Sequence, residues 1–325
     1  MPSFSILVPF VPRRPEQLAP YAALVHWTRA ARLWQGQSLA VEAHQGFAHA
    51  AGTGFGVPTG LGVSLMPLRH PYEAALQARS LALSTGHSVL AGFGPGSGPL
   101  QRAMRGEPYA SPLTAAEEYL TIVRGLLQGE LLDFSGEYYH CEGALPPSPA
   151  PEVQVGLGVL RPGMARLAGR VADAAITWLT PASYLRETVL PALREGAEAA
   201  GRPVPRVVAM VPMALPLPDL DIEAVAVASN GTHMQAPHYA DMLGRAGIDV
   251  SSGDPLVNAR SLIEGGSFLA GEVDELVEQI RIFWNSGVDE VVINLTGVAS
   301  VRGPQAAMRQ IKTIVTALSG MEETR

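Results

Sequence analysis

Short apolar runs alternate with amphipathic stretches along almost the whole chain. Residues 4–10 (FSILVPF) and 38–43 read as strands, and residues 15–34 between them place Leu18, Tyr21, Ala22, Val25 and Leu33 on one helical face behind Pro15 and Glu16. The loop EAHQGFAHAAGTGFG follows, with no helix pattern before the third strand. Leu61, Val63 and Leu65 mark that strand over 59–65, Pro67 and Pro71 bracket a turn into a helix of small residues, and 87–93 is a fourth strand reached by a parallel crossover. Thr114-Ala-Ala-Glu117 reads as a capping box for a helix with the stripe Tyr119, Ile122, Val123, Leu126 and Leu127. Residues 131–134 and 137–140 form a hairpin across Ser135-Gly136.

The second half keeps the rhythm. Strands at 153–157, 174–178 and 204–215 alternate with a helix lined by Met164, Leu167, Ala168 and Val171 and a long helix over 181–200. Residues 220–268 carry short helical patterns broken by Pro237 and Pro255; they are too long for a plain loop and predict an insertion beside a barrel mouth. A helix over 272–286, a strand at 288–295 and a closing helix with Met308, Ile311, Val315 and Leu318 complete the pattern. Eight strands with helical crossovers predict an α/β fold, a (β/α)8 TIM barrel in one domain over 1–325, with the insertion at about 220–268 between strands seven and eight. A doubly wound open sheet is the competing fold and would need a second nucleotide fingerprint or fewer strands, and the chain shows neither.

Composition agrees with a large core: 325 residues, 47% hydrophobic and 16% charged. The net charge of -7, with no basic run, argues against nucleic acid as a partner. No stretch is long enough to span a bilayer, and the opening MPSFSILVPF has no signal-peptide pattern, so neither a membrane nor secretion is expected and the cytoplasm is the expected compartment. The single Cys141 offers no internal disulfide and no thiolate metal site, and His44 and His49 are five apart with no third ligand at a usable spacing, so no metal is expected.

Candidate chemistry gathers at strand ends. Gly92, Gly94, Gly96 and Gly98 alternate after strand four, around Ser97, and leave backbone amides unshielded for a phosphate; a flexible strand-to-helix loop is the plainer reading. Their spacing is not G-x-G-x-x-G. After strand five, Gly156, Gly158, Arg161, Pro162, Gly163 and Met164 lead into a helix N-terminus, whose amides and dipole suit phosphate, with Arg161 and Arg166 adding charge.

Gly60 and Gly62, Arg69-His70-Pro71, the small-residue helix 74–83 and the loop 92–97 together resemble the luciferase-like flavin and deazaflavin oxidoreductases, as do the hairpin at 131–140 and the stretch Ala172-Asp173-Ala174-Ala175-Ile176-Thr177-Trp178. The resemblance covers most of the chain and is weakest over 215–268. It implies a barrel that holds reduced coenzyme F420, a deazaflavin, across its mouth and passes hydride to an electron-poor C=C, C=N or C=O bond, with FMN and oxygen activation as the alternative and a non-catalytic flavin-binding barrel as a third reading. A composition of 22 Arg to one Lys fits a high-GC actinobacterial genome, where that coenzyme is common. The family position after strand two falls on His44, a proton carrier; Ala43 precedes it where deazaflavin members often have Asp, and Glu42 is the possible substitute. Resemblance further implies phosphate binding by the loop 156–164, a non-proline cis bond under the ring at Gly62-Val63 or Val63-Ser64, and Trp178 as a wall of the ring pocket or a core aromatic. A small-molecule or peptide substrate is expected against residues 10–14, 44–56 and 230–268. Barrels of this family commonly pair, so a homodimer is an expectation, with Trp27, Trp34 and Trp284 at its interface or in the core.

Overall fold

The computed structural model describes residues 2–216, 218–219 and 221–321. Its strands are β1 Ser3–Leu7, β2 Leu33–Gln35, β3 Thr59–Leu65, β4 Val89–Gly94, the hairpin β5 Leu132–Ser135 and β6 His140–Gly143, then β7 Val153–Gly158, β8 Ala174–Trp178, β9 Arg206–Ala214, β10 Leu269–Ala270 and β11 Glu290–Asn294. β1, β2, β3, β4, β7, β8, β9 and β11 pair in parallel in that order, and the β11–β1 pairing closes the ring. The fold is a (β/α)8 barrel; β10 pairs with β9 outside the ring. Between β9 and β10, among the described residues, lie three helices, Ile222–Gln235, Pro237–Arg245 and Pro255–Glu264, where the sequence predicts the insertion. Among the described residues, no helix is long and apolar enough to cross a membrane.

Strand alternation divides the apolar side chains into two shells. Leu7, Trp34, Leu90, Ala174, Ile176, Val208, Met210 and Val292 fill the barrel interior, whereas Ile6, Leu61, Ala91, Phe93 and Val291 face the helices. Trp34 and Ile176 fit there because glycines on neighbouring strands yield space to them. A Cβ on Gly60 would lie 2.3 Å from the Trp34 ring, and one on Gly92 would lie 2.3 Å from Ile176. The N-terminal end is plugged by Glu290, fully buried, which accepts from Ser5 Oγ and Trp34 Nε1 at 2.7 Å each and pairs with Arg206 at 3.2 Å and Arg32 at 3.3 Å. Burial lowers the pKa of Arg32, and the Glu290 charge opposes that shift. The plug seals the end of the barrel opposite the mouth.

Several sequence expectations move. The first helix ends at His26, and strand two is Leu33–Gln35, not 38–43. Trp34 is therefore interior and fully buried, not a helix-face interface residue; Trp27 is 76% exposed, and Trp284 donates to the Ser3 carbonyl at 3.2 Å. The stretch expected as a loop holds the helix Ala43–Gly52, which supplies the missing crossover between β2 and β3. Thr114-Ala-Ala-Glu117 is not the cap: the helix Pro112–Gln128 starts one turn earlier, and Ser111 accepts from the Thr114 amide at 3.2 Å. In the same helix the buried Glu118 accepts from the amides of Glu137, Tyr138 and Tyr139 and so docks the hairpin turn. The hairpin forms, with its second arm at His140–Gly143.

Candidate active site

Active sites of such barrels sit where strands end and helices begin. Here one half of that mouth is floored by glycine. Inward-facing positions at the tops of β3, β4 and β7 are Gly62, Gly94 and Gly158; the side-chain space of Gly62 is taken by Met210, 2.3 Å from a Cβ placed there, and Gly94 and Gly158 lie against Val63. The register of β3 against β4 shifts between Leu61 and Ser64, and the Gly62–Val63 bond in that bulge is cis, one of the two expected positions. Val63 then rises among the glycines: a Cβ on Gly94 would approach it to 2.9 Å and one on Gly158 to 3.5 Å. Gly62, Val63 and Gly158 stay half-buried although their strands are central, since the mouth opens above them, whereas Ser64 turns into the buried layer. Gly156 lies lower, where a Cβ would come within 2.8 Å of both Ile176 and Leu90, so its lack of a side chain serves packing inside the barrel.

The two glycine loops differ in a way their sequences hide. After β4, Ser97 caps the helix Gly98–Arg105 through the Leu100 amide at 3.4 Å, Gly96 has a φ of +72°, and Gln101 ties down the carbonyls of Pro95 and Gly96. That loop is held by its own groups. After β7, the helix Pro162–Val171 begins at Arg161 with no side-chain cap, so the amides of Gly163 and Met164 point out of the first turn unused by a cap. The Arg161 guanidinium reaches across to Asp241 of the insertion at 3.3 Å, and Arg166 pairs with Glu195 at 2.7 Å.

The other half of the mouth carries Trp178 at the top of β8 and Asn294 at the top of β11, flanking β9 through the pairs Trp178↔Met210 and Asn294↔Pro212. Leu179, directly after the tryptophan, takes a left-handed φ of 57°, uncommon for a branched apolar residue. His233 of the insertion stacks on Trp178, with centroids 5.4 Å apart and planes 25° from parallel. Burial, with His238 adding a little, drives the His233 pKa down to about 4, so its imidazole is neutral at pH 7. Trp178 Nε1, His233 Nδ1 and Asn294 Nδ2 are buried without a hydrogen-bond partner among the described residues, as are both side-chain polar atoms of Gln35 at the end of β2.

His44 and Glu42 lie at the rim between β2 and β3. Because β2 ends at Gln35, the residues that directly follow it are Gly36, Gln37 and Ser38, and His44 sits instead in the first turn of the helix Ala43–Gly52. Glu42 caps that helix through the His44 and Gln45 amides at 2.8 and 3.3 Å, accepts from His44 Nδ1 at 2.8 Å, and is 3.5 Å from Arg69. Burial pushes the Glu42 carboxyl up, but His44, Arg69 and the Gln45 amide outweigh it and hold the pKa at about 2. An ionised Glu42 makes Nδ1 of His44 the donor and leaves Nε2 without a partner among the described residues. His70 is the N-cap of the helix Pro71–Thr85. A shallow cavity of about 430 Å³ beside His70, Glu73, His140 and Cys141 opens on the flank and touches none of the mouth residues.

Of the expected residues, the fold brings Gly62, Val63, Gly94, Gly158 and Trp178 to one opening, places Arg161, Pro162, Gly163 and Met164 on its edge, and leaves Gly156 inside and Gly96 and Ser97 in a self-capped loop. Sequence reading missed Asn294, Gln35 and His233. Asn294 ends an apolar run, a polar residue where a core side chain is expected; His233 lies in the insertion and gives no signal of its own.

A closed parallel barrel with an open, glycine-floored mouth defines an enzyme-type (β/α)8 barrel. Within that class, residues 9–290 match the luciferase-like monooxygenase family, and the chain belongs to it. An F420-dependent glucose-6-phosphate dehydrogenase from Nakamurella multipartita is 32% identical over 190 residues, 56% of this chain and 54% of that protein, so the likeness spans about half of that relative. The Gordonia bronchialis protein of the same name is 28% identical over 256 residues, 73% of this chain and 72% of its own. The solved coenzyme F420 dependent tetrahydromethanopterin reductase from Methanopyrus kandleri shares the fold with a TM-score of 0.76 at 20% identity, over 98% of each chain. EDTA monooxygenase from Chelativorans sp. BNC1 shares it with a TM-score of 0.72 at 16% identity, over 98% of this chain and 94% of the other.

Proposed function

We propose that this chain is a coenzyme F420-dependent oxidoreductase acting on a small electron-poor C=C, C=N or C=O substrate. The observation that carries the proposal is the glycine-floored half of the mouth beside an uncapped helix N-terminus: a flat ring fits over Gly62, Val63, Gly94 and Gly158, and a phosphate fits the amides of Gly163 and Met164. F420-dependent relatives in the same family support the choice of deazaflavin. When bound, the reduced coenzyme supplies hydride. The chain's own part is to hold and orient it, to exclude water with the insertion helices, and to manage one proton. His44 is the proposed proton carrier, with Glu42 fixing its tautomer through Nδ1.

Fluorescence titration of the purified protein with F420 and with FMN tests this. Tighter binding of F420, with substrate reduction and no oxygen uptake, is the expected result. Tight FMN binding with oxygen consumption would replace it by the monooxygenase reading, and binding of neither by a non-catalytic barrel.

A further inference from the structure

The half of the mouth opposite the glycines has a chemistry of its own. Asn294 is fully buried, and its Oδ1 is committed to Thr296, accepting from the amide at 3.0 Å and from Oγ1 at 2.8 Å. Thr296 is in turn bonded at 2.9 Å to Ser229 of the insertion helix Ile222–Gln235. This chain of contacts fixes which way the amide faces, and Nδ2 is left as a buried donor with no acceptor among the described residues. Strand alternation from Glu290 through Val292 turns Asn294 toward the barrel axis. A buried donor without a partner carries a desolvation cost that an arriving acceptor removes. Trp178 Nε1 is a second such donor, two strands away.

The aromatic groups beside Trp178 carry no charge at pH 7. His233, stacked on Trp178, is neutral, and Tyr239 stands edge-on to it at 4.9 Å. The nearby guanidiniums Arg161 and Arg245 share the one carboxylate of Asp241, at 3.3 and 3.1 Å, and both are more than half exposed. A buried phosphate needs buried cations to offset its desolvation, and these two lie in solvent.

We infer that the substrate is an uncharged hydrogen-bond acceptor seated between Asn294 and the Trp178–His233 pair, and that anionic compounds such as a sugar phosphate are rejected there. It rests on the reductase reading only in placing the coenzyme on the glycine side. Asn294 is the specificity-determining donor, and the stacked pair is the apolar wall.

Equilibrium binding tests this without turnover. The protein, alone and loaded with oxidised F420, is titrated with 2-cyclohexenone, acetophenone and 1,4-naphthoquinone, and with glucose-6-phosphate, by calorimetry and tryptophan fluorescence. At least one neutral probe should bind tenfold or more tightly than the sugar phosphate. Asn294→Asp at pH 8 keeps the acceptor for Thr296 and removes the amide donor, so it should weaken that probe at least tenfold while leaving F420 affinity within twofold. The inference is overturned if glucose-6-phosphate binds as tightly as the best neutral probe, if Asn294→Asp leaves probe binding unchanged, or if it weakens F420 instead. Should Asn294→Asp fail to fold, His233→Ala carries the test, with at least a threefold loss of probe affinity expected and an unchanged value overturning the inference. Selective probe binding by a protein that does not bind F420 would remove the reductase reading and leave this one standing.

Discussion

Glu42 shows how much a single side chain in this fold is asked to do. It caps a helix, orients an imidazole and meets a guanidinium, and its pKa falls from the ordinary 4.5 to about 2. Folding therefore favours its ionised form, so its contribution to stability is complete above about pH 5 and is lost as pH falls from about 4.5 toward 2. Denaturant midpoints of wild type and Glu42→Gln should differ most at pH 6–7 and converge toward pH 3; a constant gap would contradict the assignment. Glu290 makes the complementary case at the other end of the barrel. Glu290→Gln keeps the shape but leaves the buried Arg32 facing a neutral amide, and should cost about 3 kcal/mol in urea unfolding. Neither role was visible from the chain: Glu42 stands in what reads as a loop, and Glu290 in a strand whose partners Ser5, Arg32, Trp34 and Arg206 are far away in sequence.

Among the elements, β3 and β7 hold glycines of two kinds. Gly60 gives its space to Trp34, so Gly60→Ala should overpack the barrel and destabilise it by about 1–3 kcal/mol. A Cβ on Gly158 meets only ordinary contacts, Val63 at 3.5 Å and the Phe93 carbonyl at 3.6 Å, so Gly158→Ala should melt within a few degrees of wild type. Any loss of F420 affinity in that variant then reports on the mouth and not on the fold. The helix Pro162–Val171 offers a cleaner probe still. Proline is tolerated in a first helical turn but has no N–H, so Gly163→Pro should leave the melting temperature nearly unchanged and weaken F420 about tenfold, roughly 1.4 kcal/mol. An unchanged affinity would move the phosphate elsewhere. Strand β2 was misplaced because Leu33 continues the apolar stripe of the preceding helix; the helix ends at His26, and a three-residue strand carries too short a pattern to announce itself.

At the scale of the whole molecule, ring closure is the governing fact. β1 is held on one side by β11 and on the other by β2, so removing residues 1–8 would open the ring and expose the Glu290 plug; circular dichroism should show loss of a cooperative melt, and a cooperative transition would show that closure is dispensable. The sequence by itself determined the alternation of strands and helices, the barrel, the insertion after strand seven and the two glycine loops, because each is written in local periodicity and in residues with special backbone freedom. Tertiary structure alone decided the rest. Which glycines floor the mouth and which make room for Trp34, Met210 or Ile176 depends on inward-facing neighbours from other strands; which loop leads into an uncapped helix depends on Ser97 in one and the missing cap in the other. That His233 stacks on Trp178, and that Asn294 stands on the same side of the ring, follows from a closed barrel and an insertion folded back over it, and such placements of residues tens of positions apart leave no local pattern to read.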